Sequence, residues 1–131
     1  MESVRVERDL PGEPADVFEW FVEPTMLAAW WPSEAETDPV VGGSYRMHWS
    51  GPDVTLRGQY VTVEPGERLA FTWSWDHDDL PPRDVVVTFG ASARGTTVTI
   101  DHVAATDDEG ADYRDGWEYF LGRLAGELDA G

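Results

Sequence analysis

One of the three histidines in the chain lies in a pattern that points inward. His102 follows Val98 and Ile100 at every second position of a predicted strand, so the three side chains share one face. That face is expected to meet a C-terminal helix, where His102 would orient a ligand or act as an acid or base near neutral pH. The alternative is a purely structural histidine whose ring forms hydrogen bonds with a backbone group or a helix carboxylate. His102 is the one candidate for catalysis, and no catalytic signature accompanies it.

The other two histidines are expected to have no role. His48 shares a face with Arg46, opposite Met47, which predicts the outer, wet side of the sheet. His77 stands in the loop Asp76-His77-Asp78-Asp79, whose consecutive side chains cannot all converge on one metal ion. The chain contains no cysteine, no Gly-x-Ser-x-Gly elbow, no His-Glu-x-x-His motif and no phosphate-binding loop. Neither a metal nor a cofactor is therefore predicted.

Tryptophan is the residue whose abundance points to binding, because the chain holds seven in 131 residues. Apolar and aromatic walls with a few polar groups are typical of small-molecule sites. The alternative is that the rings fill the core, since each large aromatic side chain buries roughly 150–250 Å². The predicted ligand-binding set combines inward aromatic and apolar residues with Tyr60 and His102 for orientation. It comprises Trp30, Trp31, Met47, Trp49, Tyr60, Trp73, Trp75, Val87, Phe89, His102, Trp117 and Leu121.

Acidic residues dominate the charge of the chain. The formal net charge is −17, and all nine basic residues are arginine. Such a charge repels phosphate groups, so neither nucleic acid nor an anionic membrane is expected as a partner. Because the acids are spread along the whole chain, adaptation to a high-salt or GC-rich host explains them more simply than a dedicated cationic partner.

Length and apolar patterning predict a single cytoplasmic domain. The 131 residues suit one domain, 1–131, without a second. No apolar run approaches the roughly 20 residues that span a bilayer. Residues 1–7 alternate charged and apolar side chains and lack the apolar core of a signal peptide.

Local periodicity predicts the elements that would position the candidate residues. Residues 4–10 alternate as a first strand, and two short helices begin near Pro14 and Pro24, the second ending at Pro32. Residues 40–43 predict a strand end and a turn. Alternating strands follow at 44–50, 56–63, 69–75, 84–89 and 96–103, and their short connections make them antiparallel.

Two further patterns complete the predicted layout. The alternation over 56–63 fits either Tyr60 inward or Val61 and Val63 inward, so it does not decide which side chains face the core. The last segment changes to the helical period. Its apolar stripe is Tyr113, Trp117, Phe120, Leu121, Leu124 and Leu128. A long amphipathic helix over an antiparallel sheet is an α+β architecture.

A set of short motifs in this order resembles a known family. They are Pro14-Ala15-Asp16-Val17-Phe18, Trp30-Trp31-Pro32, Gly42-Gly43-Ser44-Tyr45, Gly58-Gln59-Tyr60-Val61-Thr62-Val63, Pro65-Gly66-Glu67-Arg68-Leu69-Ala70-Phe71-Thr72-Trp73, Thr97-Val98-Thr99-Ile100-Asp101-His102 and Gly116-Trp117. Over nearly its whole length the chain resembles the START-like (SRPBCC) superfamily, specifically the activator of Hsp90 ATPase homologue 1-like family.

The resemblance implies a helix-grip fold: a curved antiparallel sheet wrapped around a long C-terminal helix, with two short helices after the first strand and a cavity between sheet and long helix. It also implies a range of functions, which includes binding of lipids or aromatic molecules, polyketide cyclisation and co-chaperone activity. Because functions differ so widely on this fold, the fold carries over to the chain more directly than any one activity.

Three functional hypotheses follow. The first is a binder of a small hydrophobic or aromatic molecule. The second is an enzyme of the cyclase or isomerase type that uses His102. The third is a protein-interaction module such as a chaperone accessory, which predicts a filled cavity and an exposed apolar patch. The sequence leaves monomer and homodimer equally open.

Overall fold

A single antiparallel sheet and three helices account for the part of the chain that the structure describes. The computed structural model describes residues 2–31, 33–77 and 81–130. Within these ranges the strands are β1 (Glu2–Leu10), β2 (Glu34–Thr37), β3 (Ser44–Trp49), β4 (Val54–Glu64), β5 (Arg68–Trp75), β6 (Arg83–Ser92) and β7 (Gly95–Ala104). The helices are α1 (Pro14–Val22), α2 (Pro24–Trp30) and α3 (Asp107–Ala130). Pro32, Asp78 and Asp79, which entered the predictions above, lie outside the described residues.

The sheet runs in the order β1-β7-β6-β5-β4-β3-β2, and each neighbouring pair is antiparallel. Side chains at alternate positions of each strand line up with those of the neighbouring strands and form continuous rows across the sheet. Val6 on β1 pairs with Ile100 on β7, which pairs with Val87 on β6, which pairs with Leu69 on β5. All four are buried, so the alternation in the sequence corresponds to one core-facing side of the sheet.

Helix α3 lies against this inner side and buries Trp117, Leu121 and Leu124. Helices α1 and α2 cover another part of the core with Phe18, Phe21, Leu27 and Trp30. The α+β architecture and the helix-grip arrangement expected from the resemblance are confirmed. Among the described residues, no helix is long and apolar enough to span a membrane.

The strand expected to end at residues 40–43 is wrong. The strand is Glu34–Thr37, and Val40 and Val41 are 54% and 70% exposed in the turn that follows it. The sequence Glu-Ala-Glu-Thr of β2 has almost no apolar alternation, and the strand is instead defined by its backbone pairing with β3. The turn requires glycine at 43, because a Cβ there would overlap the carbonyl oxygen of Asp38.

A β-bulge in β4 explains why its alternation fits two registers. Tyr60 pairs with Phe71 and Val63 with Leu69, so the chain has one more residue between these positions on β4 than on β5. The inward parity therefore changes along the strand. Tyr60 is buried before the bulge, Val63 packs against the core after it, and Val61 between them is 54% exposed.

Candidate functional site

Five tryptophans from separate parts of the chain meet between the sheet and α3. Trp31 follows α2, Trp49 ends β3, Trp73 and Trp75 share the inner side of β5, and Trp117 projects from α3. The ring of Trp31 lies at the centre of the group. Its centroid is 5.0 Å from that of Trp117, 5.7 Å from that of Trp49 and 5.8 Å from that of Trp73. We call these five residues the tryptophan cluster.

Hydrogen bonds from the indole nitrogens fix part of the tryptophan cluster. The Nε1–H of Trp49 donates to the carbonyl oxygen of Trp31 at 2.9 Å, which ties β3 to the end of α2. The Nε1–H of Trp117 donates to Nδ1 of His102 at 3.0 Å. Trp73 differs, because its buried Nε1 has no hydrogen-bond partner among the residues that the structure describes. This donor is enclosed by other side chains and stays unsatisfied.

A cavity of about 490 Å³ opens beside the tryptophan cluster. Its wall includes all five tryptophans together with Pro52, Val54, Glu109, Asp112, Tyr113, Gly116 and Phe120. The volume lies within the range of about 300–1,000 Å³ that is usual for small-molecule sites. The tryptophans thus line a cavity without filling it.

One of the two carboxylates in the wall, Glu109 on α3, is paired with Arg83 of β6, which lies behind the wall. Arg83 is 7% exposed, and its Nε donates to Oε1 of Glu109 at 2.7 Å while Nη2 donates to Oε2 at 3.2 Å. The hydroxyl of Tyr113 donates to the same Oε1 at 2.8 Å. The hydrogen bond from Arg83, with that from Tyr113, lowers the pKa of the Glu109 carboxyl against the opposing effect of burial. Glu109 therefore remains a fixed carboxylate that is already paired.

His102 lies behind the cavity wall. It is fully buried, its ring stacks on Tyr113 with centroids 3.7 Å apart, and Nδ1 accepts the hydrogen bond from Trp117. Burial lowers the pKa of His102 from 6.5 to about 3, so the imidazole is neutral near neutral pH. Because Nδ1 is the acceptor, the proton resides on Nε2, which has no partner within the described part of the chain. This is neither the backbone nor the carboxylate contact expected from the sequence.

Comparison with known proteins places this geometry in a family. The family model described as activator of Hsp90 ATPase homolog 1-like protein matches residues 12–129. The chain belongs to this family. The Hsp90-activator-like family is part of the START/SRPBCC superfamily, so the resemblance seen in the sequence is confirmed. A search of the curated proteins gives no match.

Solved structures of similar proteins share the fold over almost the whole chain. Protein CV1439 from Chromobacterium violaceum is 26% identical with a TM-score of 0.85, and the alignment covers 98% of this chain and 99% of that one. DynU16, a protein of the dynemicin biosynthetic locus, is 30% identical with a TM-score of 0.88, over 98% of this chain and 48% of DynU16. The Aha1 dimer from Colwellia psychrerythraea is 16% identical with a TM-score of 0.83, over 98% and 96% of the two chains, and this likeness shows the fold.

In this member of the Hsp90-activator-like family, the predicted binding residues separate into two groups. Trp31, Trp49, Trp73, Trp75 and Trp117 line the cavity. The remaining seven do not line it. They are Trp30, Met47, Tyr60, Val87, Phe89, His102 and Leu121, all of them buried in the core. The physical reason is that other side chains cover them: Trp30, for example, stacks beneath Trp31 and donates its Nε1–H to the carbonyl oxygen of Trp20.

Most of the wall residues that the prediction omitted lie on α3. Glu109, Asp112, Tyr113, Gly116 and Phe120 recur at intervals of one, three and four residues, which places them on one side of a helix. The apolar stripe of the C-terminal segment already contained Tyr113 and Phe120, so the helical period was the signal that could have found them. Pro52 lies in the turn before β4 and Val54 begins β4, and neither position carries such a signal.

The remaining histidines take no part in the wall. His48 lies on the outer side of the sheet, where Nδ1 is 3.0 Å from the hydroxyl of Thr55. His77 is exposed next to Trp75. Within residues 2–31, 33–77 and 81–130, no three His, Asp or Glu side chains are grouped closely enough to hold a metal ion.

Proposed function

We propose that the protein binds a small, predominantly apolar or aromatic molecule in the cavity between the sheet and α3. The observation that carries the proposal is an open cavity of about 490 Å³ whose wall contains five of the seven tryptophans. An aromatic ligand that buries about 200 Å² of apolar surface gains roughly 5 kcal/mol at about 25 cal/mol per Å². Part of this gain is offset by the freedom that the ligand loses on binding.

The polar atoms of the site suit binding better than catalysis. The carboxylate of Glu109 in the wall is already held by Arg83 and Tyr113, so it is not free to take part in a reaction. His102 is a poor acid or base for a cyclase or isomerase reaction, since Trp117 and Tyr113 lie between it and the cavity. The likeness to DynU16, a protein of a biosynthetic locus, is consistent with a small organic ligand.

The proposal requires one copy of the chain, because all residues of the cavity wall come from it. A monomer and a homodimer would both bind, and the similar Aha1 protein from Colwellia psychrerythraea is a dimer. The proposal also keeps the cytoplasmic location expected from the sequence. A chaperone-accessory role is a weaker alternative, since it predicted a filled cavity.

A matched pair of glycine variants tests the proposal. Gly116 lies in the cavity wall and Gly126 lies outside it, further along α3. A Cβ added at either position would meet no atom within 4 Å, so both positions of α3 accept a side chain. Leucine at 116 would occupy the cavity, whereas leucine at 126 would project into open space. Both variants should keep or gain stability, by up to about 1 kcal/mol, because leucine is the better helix former.

The measurement is tryptophan fluorescence titrated with a panel of lipophilic and aromatic compounds. We expect saturable quenching for at least one compound at micromolar concentration, at least tenfold weaker binding in Gly116→Leu, and unchanged binding in Gly126→Leu. Binding that is equally strong in Gly116→Leu would place the ligand elsewhere. The absence of saturable quenching across the panel would contradict the proposed function.

A further inference from the structure

The charged side chains in the cavity wall are all negative. The lining residues that the structure describes include two carboxylates, Glu109 and Asp112, and no lysine, arginine or histidine. The carboxylates lie three residues apart on α3, so both occur on the side of the helix that faces the cavity. A ligand in this cavity therefore contacts negative or apolar groups.

Glu109 and Asp112 differ in how far their charges are compensated. Arg83 stands behind Glu109 and neutralises it through two hydrogen bonds. Asp112 is exposed and forms no ion pair within residues 2–31, 33–77 and 81–130. The cavity wall with its supporting arginine thus keeps an uncompensated negative charge. The net charge of −17 adds a long-range potential of the same sign.

The aromatic rings also favour a positively charged ligand. Seven of the wall residues are tryptophan, tyrosine or phenylalanine, and the faces of such rings carry negative electrostatic potential. Trp31 and Trp73 are stacked at 29°, whereas Trp31 and Trp49 are tilted by 71° and Trp73 and Trp75 by 88°, so the ring planes of the cluster lie in more than one orientation. Ring faces of this kind bind alkylammonium groups through cation–π attraction.

We infer that the ligand of this cavity is an aromatic or apolar molecule that carries a positively charged ammonium group. This inference rests on the proposed function and specifies the class of ligand. The ammonium group lies against the indole rings on the Asp112 side of the cavity, and the apolar part of the ligand fills the remainder. Carboxylic acids and other organic anions are rejected, because they would meet Asp112 and the overall negative potential.

Three compounds of nearly the same shape separate the effect of charge from that of size. Phenyltrimethylammonium carries a positive charge, tert-butylbenzene is its neutral carbon analogue, and benzenesulfonate is an anion of similar outline. Affinities are measured by tryptophan fluorescence, with calorimetry as a second method, in low-salt buffer and in 0.5 M KCl.

We expect phenyltrimethylammonium to bind at least tenfold more tightly than tert-butylbenzene at low salt, and benzenesulfonate to bind least. The preference for the cation should fall in 0.5 M KCl, because salt screens the contribution of exposed charge. Equal or tighter binding of tert-butylbenzene or benzenesulfonate would overturn the inference and leave the proposed function standing. No binding by any of the three compounds would overturn the inference and count against the proposed function as well.

Two charge-removing variants locate the effect. Asp112→Asn removes the uncompensated carboxylate in the wall, and Glu118→Gln removes an exposed carboxylate on α3 outside it. We expect Asp112→Asn to weaken phenyltrimethylammonium about threefold and to leave tert-butylbenzene unchanged. Glu118→Gln should leave both affinities unchanged. An equal loss of cation affinity in the two variants would overturn the role assigned to Asp112.

Discussion

Two aromatic clusters of this protein are built from similar side chains, but one is closed core and the other borders an open cavity. In the first, Phe21 packs edge-to-face against Trp30 and Phe89 at centroid distances of 5.1 and 5.3 Å, and all three rings are at most 6% exposed. In the tryptophan cluster the rings contact one another at similar distances, yet Trp49 and Trp75 remain partly exposed beside a cavity of about 490 Å³.

The covering elements explain the difference. The first cluster forms where α1 and α2, which carry Phe21 and Trp30, pack against Phe89 of β6, and the apolar side chains of these helices close it completely. The tryptophan cluster faces α3 at Gly116, which has no side chain to fill the space in front of the rings. Aromatic composition alone therefore does not determine whether a region becomes core or binding site. The helix that covers the region, and the size of the residues it presents, determine the outcome.

The largest predicted difference is in the loss of stability caused by an alanine substitution in each of the two clusters. Phe21→Ala should destabilise the protein by about 3–5 kcal/mol, because it removes a fully packed ring and leaves a cavity. Trp75→Ala should cost only about 1 kcal/mol, because the ring already borders open space and its loss enlarges an existing cavity. Urea denaturation of the wild type and both variants measures how much each substitution lowers the free energy of unfolding. Equal losses would show that the two clusters do not differ in packing.

A smaller effect is predicted for His102, which lies between the tryptophan cluster and the core. Its folded-state pKa of about 3 is below the ordinary value of 6.5, so on acidification the unfolded chain takes up a proton that the folded protein does not. This stability is fully present above pH 6.5 and is lost as the pH falls towards 3. Between pH 7 and pH 5 the loss should be about 2 kcal/mol, at about 1.4 kcal/mol per pH unit below 6.5.

The variant His102→Gln isolates this contribution. It should be less stable than the wild type at pH 7, since His102 is fully buried, but its stability should decrease about 2 kcal/mol less between pH 7 and pH 5. His48 and His77 are present in both proteins and cancel in the comparison. Parallel pH profiles for variant and wild type would mean that His102 titrates normally in the folded protein.

The sequence predicts the fold wherever one face of an element is apolar. Val85, Val87 and Phe89 mark the inner side of β6, and Trp117 and Leu121 mark that of α3, because each pattern has the period of its element. The prediction fails at β2, whose residues carry no such pattern. The inward parity of β4 is undetermined because Val61 is an additional residue that reverses it, and a bulge has no signal in the apolar pattern alone.

The candidate site is less predictable, because it depends on which side chains cover others. Trp30 and Trp31 are adjacent in the sequence, yet Trp30 is fully buried and Trp31 lines the cavity, since α2 ends between them. The sequence correctly places His102 on the core-facing side of β7. That Tyr113 and Trp117 separate it from the cavity depends on side-chain conformations, which no periodicity specifies. Pairing of Glu109 with Arg83 across 26 residues also lies beyond local patterns.

The most direct test of the binding site is a ¹H–¹⁵N spectrum of the seven indole N–H groups, recorded before and after saturation with the tightest compound of the titration panel. We predict that the indole signals of the tryptophan cluster shift, led by those of the partly exposed Trp49 and Trp75, and that the signal of Trp20 on α1 stays in place. A shift at Trp20 with the tryptophan cluster unchanged would contradict a ligand-binding cavity between the sheet and α3.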